Sequence, residues 1–553
     1  MQKIKGVIKE RKFKFISFFW LLISIQFAVG GNLQTRGYSI GSFKENVISI
    51  IEIIVLTIIF IALHYCFLIL YNSYKNSRTK NDKIKEIPKE NKLKKYNGII
   101  YFLIIFVCWI PAILAFYPSI LSYDGPMQIF KFTRNEMNAG YSFPSTFLLG
   151  GFYKMGFNIN NIDLGMFLYT IFQSTVMASI FSYTVNFVKE KTNNKVYTFI
   201  VLAFYAIFPY NQLFPLITTK DTLFAGIMLL FMIKLYKIMT EENTIEDYII
   251  VIIIGILTAL FRSNCICAFV VMVPCIFFIL IKNRELCKKL LVIFILTIVG
   301  YNVINNLLVN LTHAENISGQ IGTTIFSQAV GKVCQEKQEY LTDEEKEKID
   351  YYYGSYEKLA KMYRGNISDY TNTLIQYENV QNNKKEFFEF VIDLGLKYPR
   401  IYIDSFLDTT RGYWYINDDS FCNVWGDDED KGCLELAFNG VFKEEHLAVQ
   451  QHSYLPELQN LYKDLFAKNY YRNIPILYIV FQPSFYFYIL IACILYSIYK
   501  KERKMLILQI LLLMYFATCF FGPCAIIRYI YAVIVSVPII ALSVFKDTKK
   551  EKI

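Results

Sequence analysis

VISIIEIIVLTIIFIALHYCFLILY, residues 47–71, decides the class of fold. As a helix rising 1.5 Å per residue, a stretch of this length reaches about 38 Å. The hydrocarbon core of a bilayer is about 30 Å thick and takes roughly 20 apolar residues to cross. A helix that is apolar on every side belongs in the core of a large protein or in a membrane. Similar blocks recur near residues 15–30, 98–117, 164–188, 196–214, 222–238, 248–261, 266–281, 290–309, 476–499, 505–521 and 526–545. Over 553 residues, 54% are apolar and 19% are charged; a soluble domain carries about 25% charge. The expected fold is an all-α polytopic membrane protein with about twelve transmembrane helices. No small-residue cleavage site follows the first block, which is expected to stay as the first span. Residues 248–281 as one helix would measure about 51 Å, so two short helices meeting at Arg262-Ser263-Asn264 are expected instead.

The charge distribution supplies a topology. Residues 309–473 hold 17 Lys and Arg against 27 Asp and Glu, a net of −10; the whole chain is +11, so the remainder carries +21. A nucleic-acid binder gathers positive charge on one soluble face. Here it lies in short loops between apolar blocks, the positive-inside pattern, and no nucleic-acid partner is expected. Residues 72–96 alone hold nine Lys and Arg against three acids. With twelve spans, both termini and the basic loops 72–96, 189–195, 282–289 and 500–504 face the cytoplasm. The loop 240–247, with four acids, departs from this pattern. The expected organisation is a two-span segment with a basic linker (1–96), a transmembrane core with the first outer loop (97–309), a mostly helical extracytoplasmic domain (310–473) and a three-span segment (474–553). The expected location is the plasma membrane.

Five ionisable features then share the outer face. Asp124 follows the third span in YPSILSYDGPMQI, residues 117–129, between Tyr123 and Gln128. A carboxylate near lipid is expected to have a raised pKa and can act as a general base. Alternatively it caps the amphipathic helix that follows. Lys220 and Asp221 lie in FPLITTKDTLFAG, residues 214–226. A helix N-terminus with a lysine makes an anion site, while Thr219 or Asp221 can cap that helix. Arg262 sits in the expected hairpin, and Arg528 lies one turn into the last span, in FGPCAIIRYIYAV, residues 521–533. An arginine at a helix centre costs about 2.5–3.5 kcal/mol on insertion scales; near a span end it reaches water, and its planar fork suits a phosphate.

The other signals are weaker. Most of the 12 cysteines lie in apolar blocks, where they pack as small apolar groups. Cys422 and Cys433 flank an acidic run at 427–430 and can form a disulfide outside the cell. His313, His446 and His452 are too scattered for a metal site. Residues 141–157 can lie in the interface plane or form a partly buried loop. Thr342 and Glu345 have the spacing of a capping box. DSFLDTTRGYWYINDD, residues 404–419, is suited to stacking on sugar rings or to core packing. Sequons stand at Asn310, Asn316 and Asn366.

YPSILSYDGPMQ resembles the Tyr/Phe-Pro-Gly…Ser-x-Asp-x-x-x-Gln signature of an uncharacterised bacterial family of polytopic membrane proteins. That family is similar to the GT-C glycosyltransferases, which include protein mannosyltransferases and lipid A aminoarabinose transferase. TTKDTLFAG, FRSNCICAF, KYPRIYIDSFLDTTRGYWY and IIRYIYAV resemble its other blocks, in order, from about Tyr117 onward. The resemblance implies transfer of a sugar from a polyprenyl-phosphate carrier to an envelope glycan or other extracytoplasmic acceptor. It gives Asp124 the role of base or of ligand to a divalent metal. It places Lys220 and Arg528 on the carrier phosphate, with Arg262 a further candidate and Gln128, Asp221 and Tyr123 in support. Many relatives carry a His-Pro pair where this chain has Phe143-Pro144, so any role of that histidine is absent here. Two rival readings are a lipid-linked glycan transporter or flippase, and a non-catalytic envelope binding protein. A transporter places polar groups at mid-membrane and repeats its halves; His64 and Gln173 are the clearest interior polar residues.

Overall fold

The structure, a computed structural model, describes residues 11–79, 97–122, 124–315, 323–419 and 447–545. Tyr123, Asn316, Cys422, Cys433, His446 and the acidic run 427–430 lie outside the described residues. The described residues contain helices and isolated β-bridges but no strand. Helices of nine residues or more are numbered here in chain order.

The first helices are α1 (Arg11–Arg36), α2 (Phe43–Thr79), α3 (Asn97–Ala115), α4 (Gly125–Thr133), α5 (Phe143–Asn158) and α6 (Ile162–Thr192). Next come α7 (Lys195–Ile207), α8 (Lys220–Thr240), α9 (Ile245–Phe261), α10 (Asn264–Leu280) and α11 (Arg284–Thr312). The polar segment holds α12 (Thr323–Lys337), α13 (Asp343–Tyr353), α14 (Lys384–Lys397) and α15 (Pro399–Trp414), and α16 (Pro483–Lys500), α17 (Arg503–Cys519) and α18 (Ile527–Ile540) follow. Among the described residues, eight helices are long and apolar enough to cross a membrane: α1, α2, α3, α6, α8, α11, α16 and α18 with its short extension. The chain is thus a multi-pass membrane protein.

α2 shows why lipid is required. Ile50, Ile54, Ile58 and Leu63 are each more than half exposed, and no residue of its most apolar stretch is buried by protein. Apolar area left in water forfeits about 25 cal/mol per Å², so such a surface is stable only in an apolar solvent. α2 runs on to Thr79, into the region read as linker; no Pro or Gly interrupts residues 72–79. The apolar block at 196–214 is broken by a 50° bend before Pro209, whose ring cannot continue the preceding helix's hydrogen bonding. The hairpin at 262–263 forms as expected, between α9 and α10.

Three helices connect the two ends of the bundle. α8, α10 and α17 begin or end at Lys220, Asn264 and Cys519 beside one cavity, and at Thr240, Leu280 and Arg503 beside another. They contain 17 to 21 residues, a rise of about 26–32 Å. The two cavities are therefore separated by about one hydrocarbon thickness. α10 packs on α17 and α11, and α8 on α9 and α18.

The polar segment has its own core, in which Val330, Val333, Ile349, Phe387 and Val391 are fully buried. Thr342 and Glu345 form the expected capping box at α13. Core packing accounts for Tyr413: it is buried beside Phe516 and Phe520, and its hydroxyl donates to the Cys524 carbonyl at 3.0 Å. A buried ionic network fastens this segment to the α1–α2 turn. Asp404 accepts from the Ser39 amide at 2.8 Å and from the Ser39 hydroxyl, and pairs with Arg400 at 3.4 Å. Lys332 donates to the Gly37 carbonyl at 3.2 Å and pairs with Asp408 at 3.7 Å. Burial pushes the Asp408 carboxyl above its ordinary value despite Arg411 and Lys332 beside it.

A buried polar group left without its partner costs about 1–3 kcal/mol, whereas exposed ion pairs contribute about 0–1 kcal/mol. Asp404→Ala, which strips the Ser39 amide and hydroxyl of their buried acceptor, should therefore lower the thermal midpoint of the purified protein. Lys385→Ala, which breaks an exposed pair with Glu389, should leave it unchanged.

Candidate functional site

The site is built where two irregular segments run side by side. Residues 116–122 leave α3 extended, and residues 214–219 approach α8 after the bend. Ile120 donates to the Leu216 carbonyl at 2.9 Å, and Thr218 donates back to the Ile120 carbonyl at 3.0 Å. The Ser122 amide donates to Thr218 Oγ1 at 3.1 Å. Gln173 on α6, fully buried, donates to the carbonyls of Pro215 and Ile217, at 3.0 Å each. These bonds satisfy backbone groups that could not stay unpaired at membrane depth. They also set Asp124 and Lys220 side by side. Gly125 completes the approach: a Cβ there would collide with the backbone and side chain of Thr218.

Asp124 Oδ2 lies 3.6 Å from Lys220 Nζ and 3.5 Å from Arg528 Nη1. The side chains of the two cations are 19% and 12% exposed, against 32% for Asp124, so the carboxylate alone faces much open space. Burial favours its neutral form, but Arg528, then Lys220 and Arg262, outweigh this and hold the carboxyl below its ordinary value. The expectation of a raised pKa is thus corrected: nearby cations, not the lipid environment, dominate. Asp124 occupies the N-cap position of α4 without a side-chain capping bond, which leaves its oxygens for the cations.

Asp221 and Arg262 form a second, fully enclosed pair. Thr219, rather than Asp221, caps α8 by accepting from the Asp221 amide, and the Thr219 hydroxyl donates to Asp221 Oδ2 at 3.0 Å. Arg262 lies over the Tyr529 ring, 4.5 Å from its centroid; Arg528 lies 4.9 Å from the same centroid and donates to the Tyr529 hydroxyl at 3.3 Å. Both guanidiniums thus share one aromatic neighbour. Asp124, Lys220 and Arg262 line a cavity of about 210 Å³ together with Ser142, Asn264, Tyr301 and Asn305, while Arg528 and Asp221 pair with these groups from outside its lining. Phe143 forms part of its wall.

Asp124, Lys220, Arg262, Asp221 and Arg528 are therefore gathered in one place. Gln128 is not at the cavity: it is buried between α4 and α5 and accepts from the Ser145 hydroxyl at 3.2 Å. Tyr123 lies outside the described residues. Tyr529 escaped the sequence reading although it adjoins Arg528, because an aromatic residue is ordinary in an apolar span. Asn305 and Tyr301 on α11 carried no signal beyond being polar groups near a span end. Among the described residues no group of three or more His, Cys, Asp or Glu is suited to hold a metal ion. With two fixed cations on its one contacting oxygen, Asp124 does not fit a divalent metal.

Residues 137–553 match a family of unknown function, DUF6020, and the chain belongs to it. No curated protein and no solved structure matches the chain.

Two outcomes follow from this geometry. Arg262→Met should strand the Asp221 charge at a cost of about 3–5 kcal/mol, and adding Asp221→Leu should recover most of the lost thermal midpoint, since an apolar pair replaces a buried ionic one at little cost. By infrared difference spectroscopy, the Asp124 carboxylate should protonate below the usual value of about 3.9, and Arg528→Gln should move that titration upward. Because the folded pKa is depressed, the stabilisation from these ion pairs is present above the unfolded value and is lost as pH falls through the folded one.

Proposed function

We propose that this DUF6020 protein is a membrane glycosyltransferase of the GT-C type, which moves a sugar from a polyprenyl-phosphate donor to an extracytoplasmic envelope acceptor. The observation that carries the reading is the placing of Lys220 and Arg528 on a single oxygen of Asp124, at the rim of a polar cavity one bilayer from the basic end of the bundle. A lipid-linked donor holds its phosphate at headgroup depth, and the reacting groups are needed at the same depth. In this reading the eight long helices, the bent α7 and the 17-residue α9, α10 and α17 make twelve spans. The basic loops then face the cytoplasm and the cavity faces outward, in the plasma membrane.

The chemistry follows from charge. The donor phosphate takes Lys220 and Arg528, with Arg262 behind them, in place of the Asp124 carboxylate. Neutralising those cations raises the carboxyl toward its ordinary value and frees it to accept a proton. The acceptor hydroxyl oxygen forms the new bond to the anomeric carbon, with inversion; the bond from that carbon to the phosphate oxygen breaks, and its electron pair stays on the phosphate. The proton passes to Asp124. Charge developing on the leaving phosphate is stabilised by cations already in position. No step is assigned to a metal. The flippase reading requires mid-membrane charge, whereas the charged cluster here lies at helix ends; the binding-protein reading leaves the enclosed cations without a purpose.

Purified protein given a polyprenyl-phosphate sugar and a mixed envelope-glycan acceptor should release free polyprenyl phosphate. Asp124→Asn should lower the rate by about 10²–10⁴ with unchanged expression, the usual contribution of a general base. Arg528→Gln should weaken donor binding. Unimpaired turnover by Asp124→Asn removes the base assignment, and passage of intact lipid-linked sugar across vesicles without release favours the flippase.

A further inference from the structure

At the end of the bundle opposite Asp124, α8 and α10 finish, α16 finishes, and α11 and α17 begin. Between them lies a cavity of about 540 Å³. We infer that this cavity is a binding site for the headgroup of an anionic phospholipid of the facing leaflet.

Five cations line it: Lys282, Lys500, Lys501, Arg503 and Lys504, with Glu502 the one acid. Among the described residues none of the five cations is in an ion pair. Positive-inside loops need only be basic; nothing in that rule requires them to enclose a hollow or to lack acids. Two helix N-termini add to the positive potential, those of α11 and α17, which are 29 and 17 residues long. The Asn283 side chain caps α11 by accepting from the Leu286 amide at 3.2 Å.

The walls are of a different character. Leu280, Leu286 and Met505 are buried, and Tyr236 and Tyr496 stand half-buried at the same level. A free inorganic anion uses only the cations. A phospholipid uses both parts, its phosphate among the lysines and its glycerol and first methylenes against the apolar wall. Basic pockets between span ends on the cytoplasmic side are suited to anionic headgroups, and each cation near such a surface contributes about 1 kcal/mol of attraction. The site is independent of the chemistry proposed at Asp124.

The test uses the full chain in a neutral detergent, titrated with phosphatidylglycerol, phosphatidylcholine or inorganic phosphate while the thermal midpoint is followed. A ligand that binds only the folded state raises that midpoint with concentration. Phosphatidylglycerol should raise it by several degrees, phosphatidylcholine much less, and phosphate should not reproduce the effect. The exposed triple variant Lys500→Gln/Lys501→Gln/Lys504→Gln should fold and lose the response, whereas Lys385→Gln should keep it. An equal response to phosphatidylcholine, or an undiminished response in the triple variant, overturns the inference. A full response to phosphate alone makes this a site for a free anion and likewise overturns the lipid assignment.

Discussion

A carboxylate at the rim of an apolar layer is stable as an ion only beside opposite charge, and this constraint arranges one end of the bundle. Asp124 is held by Lys220 and Arg528, and Asp221 by Arg262. These side chains come from the segment before α4, the start of α8, the α9–α10 hairpin and the start of α18. Each of those segments ends at the depth where its charge finds a partner. A buried ion pair is weak support for stability against an apolar replacement, but either half alone is heavily penalised. The pairs therefore specify which ends meet more than they strengthen the meeting. Tyr529 helps to make the arrangement tolerable, since its ring lies close to both Arg262 and Arg528.

Helix class was legible because lipid leaves its mark on every turn: residues 47–71 have no polar face, and no residue of the most apolar stretch of α2 is buried by protein. The hairpin at 262–263 followed from length alone. The bend before Pro209 was visible as a proline, but the apolar residues on both sides read as one block. The continuation of α2 beyond residue 71 was hidden because polar residues that stay helical look like a linker when only charge is counted. In the site, the charged residues could be named because a charge is conspicuous in an apolar block. Their pairing could not, since which carboxylate meets which cation depends on the register of helices hundreds of residues apart. The Asp124 pKa was misjudged for the same reason: burial can be inferred locally, whereas a neighbour such as Arg528 cannot.

The parallel contact between residues 116–122 and 214–219 is a small feature with a large effect. Non-helical backbone near the membrane survives only if its amides and carbonyls are paired, and here each segment pairs the other, with Gln173 capping what remains. Extended backbone offers fewer ways to shift than a frayed helix end, so the main chain beside Asp124 and Lys220 is held in register by these bonds.

The turn at 522–524 belongs to two structures at once. Gly522 and Pro523 form part of the cavity wall, while the Pro523 carbonyl accepts from the Ser368 amide at 2.8 Å and the Cys524 carbonyl from Tyr413. The turn is thus a mechanical joint. A displacement of residues 367–368 would be carried through these main-chain bonds to the cavity wall at Gly522 and Pro523.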